Sequence, residues 1–302
     1  GGIKMSLVLS NLTKRFDDFT AVDNINIEVP SGSMYGFLGG NGAGKTTTFR
    51  MLLGLLTPTA GNITYNDKKI DYVMTDKIGY LPEERGLHPK LQVDEQIQYL
   101  AKLKGMKKAD IDKQLDFWLE EFEVPENKQK KIEKLSKGNQ QKIQLIASII
   151  HQPELIILDE PFSGLDPVNV EILKKAVKNL NDNGATILFS THRMDHVEEL
   201  CEELCILNKG QQIVSGNIDD IKSDFGQKEL IIEGRHDISF LKDFPGVLGM
   251  KQKRNKNIIK IEEEKYAEDI YNEIIKIGYF KRFQVMEPSL NDIFIAKVGR
   301  QY

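Results

Sequence analysis

The segment from Gly39 to Thr46, GGNGAGKT, combines a run of glycines with a lysine and a threonine. Glycine has no Cβ atom, so this backbone can fold tightly and turn successive N–H groups inward as a nest for anionic oxygens. The spacing is G-x-x-x-x-G-K-[ST], between a strand-like run, MYGFLG, and a helix-like run, KTTTFRMLLGLL. The pattern predicts a loop for the phosphate chain of a nucleotide, with Lys45 beside the β- and γ-phosphates and the Thr46 hydroxyl on Mg²⁺.

Two acidic residues end a second apolar run, LIILDEP. Taken alone, two acids after a strand are usually the start of a solvated loop. Beside a phosphate-binding loop they have a chemical use. Asp159 at the end of the strand can hold Mg²⁺ through water, and Glu160 can polarise an attacking water.

Three further motifs occur in a fixed order: LSKGNQQK (135–142) at the start of a predicted helix, SGLD (163–166) after the acids, and STH, which ends at His192. With them, residues 7–216 resemble the nucleotide-binding subunit of ABC transporters. The resemblance implies ATP and Mg²⁺ as cofactors. It also implies that His192 contacts the γ-phosphate and orients the attacking water, and that Phe16 in KRFDDFTAV stacks on adenine.

In that family two subunits face head to tail, and each ATP lies between the phosphate loop of one and the LSKGN-type signature of the other. Ser136, the backbone of Gly138 and the following helix N-terminus offer donors and a positive dipole for that second face. The implied catalytic residues are Glu160, His192 and Lys45. The implied nucleotide contacts are Phe16, Gly39, Asn41, Gly42, Ala43, Gly44, Lys45, Thr46, Thr47, Ser136, Gly138, Asn139 and Asp166. The implied metal-binding residues are Thr46, Glu83 and Asp159.

Three departures from the family pattern bear on activity. The signature reads LSKGN rather than LSGGQ, which places Lys137 and Asn139 where glycine and glutamine are usual. Glu83 in IGYLPEERG stands where the family has a glutamine. Its carboxylate can approach Mg²⁺ but adds negative charge near the γ-phosphate, which leaves both the hydrolysis rate and the coupling to a partner open. Gly40 stands where proline is common and should only loosen the turn.

The elements that must position these residues alternate between strand and helix. The resemblance implies an α/β fold class, the P-loop NTPase ABC ATPase domain. This domain has a RecA-like core, an antiparallel β subdomain and a helical insertion at about 90–150, and it covers residues 5–222. Residues 228–302 form a C-terminal accessory domain with the order β-α-β-β-α-β, which is typical of a small α+β ferredoxin-like module. A last helix, SLNDIFIAKV, starts at a capping-box-like Ser289 with Asp292 three residues later.

The tail EPSLNDIFIAKVG resembles the end of an accessory domain of bacterial exporter-type (ABC-2) subunits, which include multidrug, sodium and antimicrobial-peptide exporters. The implied partners are a separate membrane permease, contacted near 83–93, and a second nucleotide-binding subunit, either identical or related. The implied location is cytoplasmic, on the inner face of the cell membrane. Two rival functions remain open: a soluble ABC-type ATPase that works on ribosomes or DNA, and a regulator that binds ATP without hydrolysing it.

Composition agrees with an intracellular globular chain. It has 302 residues, 40% of them apolar, and a net charge of −4, which argues against a nucleic-acid partner. No apolar run is long enough to cross a bilayer, and no signal peptide is evident. The dense lysines between Lys102 and Lys142 predict a solvated helical face or, alternatively, a surface facing anionic lipid headgroups.

Cysteine and histidine residues offer one further candidate site. Cys201 and Cys205 lie one turn apart in HVEELCEELC, a helix-like run, and His192 and His196 are nearby. The spacing matches none of the common zinc patterns, so we expect two half-buried thiols. The histidines predicted to be structural are His88, His151, His196 and His236.

Overall fold

The computed structural model describes residues 5–70, 74, 77–84 and 86–299. The chain divides into two compact units, 1–216 and 217–302. The first ten strands are β1 (Met5–Phe16), β2 (Phe19–Pro30), β3 (Met34–Leu38), β4 (Ala60–Tyr65), β5 (Lys68–Lys69), β6 (Ile78–Leu81), β7 (Leu155–Asp159), β8 (Thr186–Thr191), β9 (Glu203–Asn208) and β10 (Gln211–Asn217). The helices between them are α1 (Lys45–Leu52), α2 (Val93–Leu103), α3 (Lys108–Glu121), α4 (Lys137–Ile149), α5 (Pro167–Asp182) and α6 (Met194–Leu200), with short 3₁₀ helices at Pro125–Asn127 and Ile132–Lys134.

These strands form one sheet in the order β5-β4-β1-β2-β10-β9-β3-β8-β7-β6. In its parallel half, β3 pairs with β8 and β9, and β7 pairs with β8 and β6. Every residue of β3, β7 and β8 is buried, as expected for parallel strands covered on both faces. The carboxyl ends of β3, β7 and β8 meet at one edge, so the glycine loop, the two acids and His192 follow neighbouring strands.

The other half of the sheet is antiparallel, because β1 lies between β2 and β4 and runs antiparallel to both of them. A parallel bridge between Gln211 and Asp23 connects it to the core. The helical insertion consists of α2, α3 and α4, between β6 and β7. The predicted α/β core with an antiparallel subdomain and a helical insertion is confirmed.

The helical insertion has its own aromatic packing. The rings of Trp118 and Phe122 stack with centroids 5.7 Å apart. Lys142 of α4 is buried, and its Nζ donates a hydrogen bond to the carbonyl oxygen of Phe122 at 3.0 Å. Burial lowers the pKa of this lysine. These contacts anchor α4, the helix that starts at the LSKGN motif, to the end of α3.

The elements of the second unit are α7 (Ile218–Phe225), β11 (Lys228–Gly234), a 3₁₀ helix (Ser239–Asp243), β12 (Val247–Lys253), β13 (Lys256–Ile261), α8 (Lys265–Ile274), β14 (Phe280–Met286) and α9 (Leu290–Val298). The four strands form a sheet in the order β12-β13-β11-β14, and neighbouring strands are antiparallel. This is the strand order of a ferredoxin-like module, as predicted.

Two details of this unit differ from the sequence prediction. The first helix of the predicted β-α-β-β-α-β order is only a short 3₁₀ segment, which ends before Phe244 because Pro245 disfavours helical geometry at the residue before it. The predicted end of the first domain at residue 222 falls inside α7, which groups with the second unit. Asn217 caps α7 by accepting hydrogen bonds from the backbone N–H groups of Asp219 and Asp220, so the helix starts at the boundary.

The predicted last helix is present as α9. The Ser289 hydroxyl caps it by accepting a hydrogen bond from the backbone N–H of Asp292 at 3.2 Å. Among the helices of the described residues, none is both long and apolar enough to cross a bilayer.

Candidate nucleotide-binding site

The glycine run joins β3 to α1 in a backbone conformation that residues with a Cβ atom could not adopt. Gly44 has φ 106°, and a Cβ atom there would lie 2.7 Å from the carbonyl oxygen of Ala21. A Cβ atom on Gly39 would lie 2.6 Å from the carbonyl oxygen of Leu207. Glycine is therefore required at both ends of the loop, by conformation and by close approach of neighbouring backbone. By contrast, a Cβ atom on Gly40 meets nothing within 4 Å.

Lys45 starts α1 and turns back under the loop. The residue is 6% exposed, and Nζ donates hydrogen bonds to the carbonyl oxygens of Gly39 at 2.7 Å and Gly40 at 3.3 Å. The same Nζ lies 3.6 Å from Oε1 of Glu160. The ammonium group of Lys45 is thus held beside the glycine loop by two loop carbonyls and by the carboxylate of Glu160.

Asp159 is fixed from two sides at the end of β7. The Thr46 hydroxyl donates a hydrogen bond to Oδ2 of Asp159 at 2.9 Å, and the Ser190 hydroxyl donates one to Oδ1. Asp159 itself is 1% exposed. Ser190 was missed by the sequence analysis. Its signal was the STH motif, in which the serine before Thr191 lies inside a buried strand.

Glu160 is buried and has an unusual backbone conformation. Its φ is 49°, in the left-handed region that a non-glycine residue adopts at a cost. Its backbone N–H donates to the Ser190 hydroxyl oxygen at 3.1 Å. Oε2 lies 3.0 Å from Nδ1 of His192, while Oε1 is buried without a hydrogen-bond partner. This backbone conformation places the carboxylate of Glu160 between Lys45 and His192.

Lys45, Asp159 and Glu160 line a cavity of about 290 Å³, and His192 is not among its lining residues. Its lining residues are Phe19, Ala21, Gly40, Asn41, Gly42, Ala43, Gly44, Lys45, Thr46, Thr47, Glu83, Asp159 and Glu160. Three carboxylates and one ammonium group thus converge on the cavity. Such an excess of negative charge suits a divalent cation bound together with phosphate. Glu83, which stands where the family has a glutamine, is one of the three carboxylates that line the cavity.

Tyr80 lies behind the acidic wall. Burial, together with the negative charges of Asp159 and Glu83, raises the pKa of its hydroxyl to about 12. The shift keeps the phenol neutral even in alkaline solution, so Tyr80 adds no negative charge beside Asp159 and Glu83.

Phe16, the predicted adenine-stacking residue, is not among the lining residues, whereas Phe19 is. The two are directly opposite each other at the end of the β1–β2 hairpin. Residues that face each other in this way project from the same face of a sheet. Both rings are largely exposed, and the ammonium group of Lys14 lies 5.0 Å from the centre of the Phe16 ring. Stacking by Phe16 stays a prediction.

The signature residues Ser136, Gly138 and Asn139 and the SGLD aspartate Asp166 do not line this cavity. Ser136 caps α4 by accepting a hydrogen bond from the backbone N–H of Asn139 at 3.2 Å. Asp166 caps α5 by accepting from the backbone N–H groups of Val168 and Asn169 at 3.1 Å.

Gly138, in the first turn of α4, packs against the first turn of α5. A Cβ atom on Gly138 would lie 2.6 Å from Nδ2 of Asn169, which also donates to Oδ2 of Asp166. The signature and the SGLD segment therefore form one packed surface apart from the cavity.

The thiols and remaining histidines do not build a metal site. Helix α6 ends at Leu200, so Cys205 lies in β9 and not one helical turn from Cys201. Both thiols are buried rather than half-buried, and burial raises their pKa values. His196 is buried edge-on to Phe162, and burial lowers its pKa. In the described part of the chain, no group of three or more His, Cys, Asp or Glu side chains could hold a metal ion by itself.

Comparison with known proteins gives consistent matches. A family model described as ABC transporter matches residues 22–163, and one described as ATP-binding protein DrrA1-3-like, C-terminal domain, matches residues 216–298. The ABC transporter ATP-binding protein YhaQ of Bacillus subtilis is 51% identical over 98% of this chain and 99% of its own length. Nod factor export ATP-binding protein I of Cupriavidus metallidurans is 34% identical over 70% of each chain. A solved ATP-binding subunit of an ABC transporter is 30% identical with a TM-score of 0.68, over 73% of this chain and 93% of that one.

Proposed function

Because this chain belongs to the ATP-binding subunits of ABC transporters, we propose that it binds and hydrolyses MgATP and so drives export of a substrate through a separate membrane permease. The observation that carries the proposal is the convergence of Lys45, Asp159 and Glu160 on one cavity under the glycine loop. Export is supported by the likeness to the Nod factor export protein and by the exporter-type resemblance of the C-terminal unit.

Nucleotide binding uses the donors that the loop already presents. The phosphate chain of ATP takes the place of the Gly39 and Gly40 carbonyls as the partner of Lys45. The N–H groups of the loop and the positive end of the α1 dipole add to this attraction. A phosphate bears more negative charge than a carbonyl oxygen, so the exchange favours binding.

The residues around Asp159 fit a magnesium ion. Thr46 and Asp159 already lie within hydrogen-bond distance of each other, and Glu83, which lines the same cavity, would supply a third oxygen ligand. Mg²⁺ typically binds through one or two carboxylates, waters and substrate phosphates rather than in an all-protein cage. When bound, it neutralises charge on the β- and γ-phosphates during transfer.

Hydrolysis uses Glu160 as the base that accepts a proton from the attacking water. His192, hydrogen-bonded to that carboxylate at 3.0 Å, orients the water and contacts the γ-phosphate. Lys45 stabilises negative charge on the transferred group. The arrangement of Glu160 and His192 argues against the regulator that binds ATP without hydrolysing it, and the net charge of −4 argues against a nucleic-acid partner.

Two copies would close over ATP head to tail. Ser136, Gly138, Asn139 and Asp166 lie on a surface of their own, and the first turn of α4 contains no acidic residue to repel a phosphate. ATP then holds two chains together and its hydrolysis releases them, which moves a permease docked near 83–93. The working location is cytoplasmic, on the inner face of the membrane.

A steady-state ATPase assay on the purified chain tests the proposal. We expect Mg²⁺-dependent phosphate release that increases when the chain is purified with its membrane partner. Release of phosphate that is absent in both preparations, while ATP still binds, would support the regulator instead. Co-purification with ribosomes rather than with a membrane protein would contradict the transporter assignment.

The base-stacking role of Phe16 makes a separate prediction. Replacing Phe16 with alanine is expected to weaken ATP binding about tenfold, because stacking of a base on an aromatic ring contributes about 1–3 kcal/mol. Phe16→Tyr keeps the ring and is expected to keep the affinity. Calorimetry with tripolyphosphate, which lacks the base, should give equal affinity for all three proteins. An equal loss for tripolyphosphate and ATP would show that Phe16 supports the loop instead.

A further inference from the structure

Helix α4 packs against β6, which is the last strand of the large sheet. A Cβ atom on Gly79 would lie 2.5 Å from the carbonyl oxygen of Ser148, so strand and helix backbones touch there. The outer edge of a last strand has backbone groups without a partner strand. One backbone group of β6 finds its partner on α4: the Ser148 hydroxyl donates to the carbonyl oxygen of Tyr80 at 2.8 Å.

Gln144, one turn before Ser148 on the same helix face, extends this row beyond the strand. Its Nε2 donates to the carbonyl oxygens of Pro82 at 3.3 Å and Glu84 at 3.1 Å. Two acceptors require the NH₂ group, which fixes the orientation of the amide. The side chain is 3% exposed, and its Oε1 is buried without a hydrogen-bond partner. An apolar side chain would avoid that unpaired acceptor, so packing alone does not explain a glutamine here.

The two hydrogen bonds from Gln144 flank Glu83, which lines the nucleotide cavity. Strand β6 ends at Leu81, so residues 82–84 lie outside the ladder to β7. Among the bonds between described residues, no hydrogen bond holds the Glu83 side chain, and no backbone–backbone bond holds 82–84. The place of the Glu83 carboxylate on the cavity wall therefore depends on the amide of Gln144.

We propose that Gln144 is a positioning residue for ATP hydrolysis: it sets the place of the Glu83 carboxylate and ties it to α4, the helix that starts at Ser136. Gln144 does not line the cavity, so its effect passes through Glu83. Ser136 lies about two helical turns away on the same rigid helix. A displacement of α4, when the signature meets the second copy's nucleotide, is thereby transmitted to the metal side of this chain's own cavity. The inference rests on the proposed ATPase function.

A double-mutant cycle between Gln144 and Glu83 tests this role. Gln144→Met removes both hydrogen bonds at nearly constant length and is expected to lower kcat about tenfold, because misplaced groups lose much of their catalytic effect. In a Glu83→Ala background, which leaves no carboxylate to misplace, the same change is expected to cost about twofold or less. Ser148→Ala is the matched control, since it removes the neighbouring bond to Tyr80 and leaves both bonds beside Glu83 intact. An equal loss in both backgrounds would overturn the proposal.

Calorimetric titration of Mg²⁺ into the ATP-bound chain gives a second readout that does not need turnover. The Mg²⁺ affinity is expected to be about tenfold lower in Gln144→Met than in the wild type, because residues that orient a metal ligand typically contribute that much, while the affinity for ATP without Mg²⁺ is unchanged. An unchanged Mg²⁺ affinity would also overturn the proposal. If the wild type does not hydrolyse ATP, the proposed function fails and the Mg²⁺ titration still decides the placement of Glu83. Gln144→Asn, with an amide on a shorter side chain, replaces the methionine variant in both experiments if that variant does not fold.

Discussion

Replacing Glu160 with glutamine is expected to lower ATP turnover by about 10²- to 10⁴-fold, the usual contribution of a general base. Glutamine has nearly the same size and still reaches His192, but its amide cannot accept the proton of the attacking water. ATP binding is expected to persist, because the glycine loop, Lys45 and the pair of Thr46 and Asp159 are unchanged. Phosphate release and nucleotide affinity, measured on the same preparation, separate the two effects.

Glu171→Gln is a matched control for this change. Glu171 is an exposed carboxylate of α5 that pairs with Lys174 and lies outside the cavity. Its replacement is expected to leave turnover within about twofold, since surface ion pairs contribute little. Near-normal turnover by Glu160→Gln would refute the assignment of Glu160 as the base, whatever the control shows.

Replacing Lys45 with methionine is expected to weaken ATP binding about 10- to 100-fold, because hydrogen bonds to charged groups contribute about 1.5–3 kcal/mol. The change removes the positive charge beside the phosphates and also the cation that lies 3.6 Å from the buried Glu160 carboxylate. Lys45→Arg is expected to fail as well, because the planar guanidinium group does not replace a compact ammonium between the carbonyls of Gly39 and Gly40.

Calorimetric titration with ATP measures this effect, and Lys90→Met is its control. Lys90 is an exposed lysine paired with Glu133 outside the cavity, and its replacement is expected to leave ATP affinity unchanged. If Lys45→Met bound ATP as tightly as the wild type, phosphate binding by the loop would have to depend on the backbone donors alone.

The α/β core and the neighbouring placement of the site motifs were predictable from the sequence for a physical reason. The glycine spacing has few backbone solutions, and Gly39 and Gly44 are both required by close neighbouring carbonyls. Motifs that follow parallel strands also meet at one edge of the sheet. Asp159 and Lys45 therefore approach one cavity although they are far apart in sequence.

The contacts that orient the site were not predictable, because they join residues that are far apart in the sequence and meet only through tertiary packing. Ser190 reads as one of the polar residues at the ends of a buried strand, and its sequence does not show that its hydroxyl contacts Asp159. Gln144 reads as one polar residue of an amphipathic helix, and its partners are backbone carbonyls of a distant segment. Phe19 reads as a turn residue beside Phe16. Nothing in the local pattern tells which of the two rings lines the cavity.

We expect two copies of the nucleotide-binding subunit to bind one MgATP between them. The glycine loop of one copy faces the N-terminal end of α4, at Ser136, of the other copy. Light scattering of Glu160→Gln under saturating MgATP tests this arrangement most directly, because this variant should bind ATP without releasing it. We expect a particle of two chains that reverts to one when Mg²⁺ is chelated. A variant that stays a single chain with ATP bound, both alone and with its membrane partner, would show that two copies do not share the nucleotide.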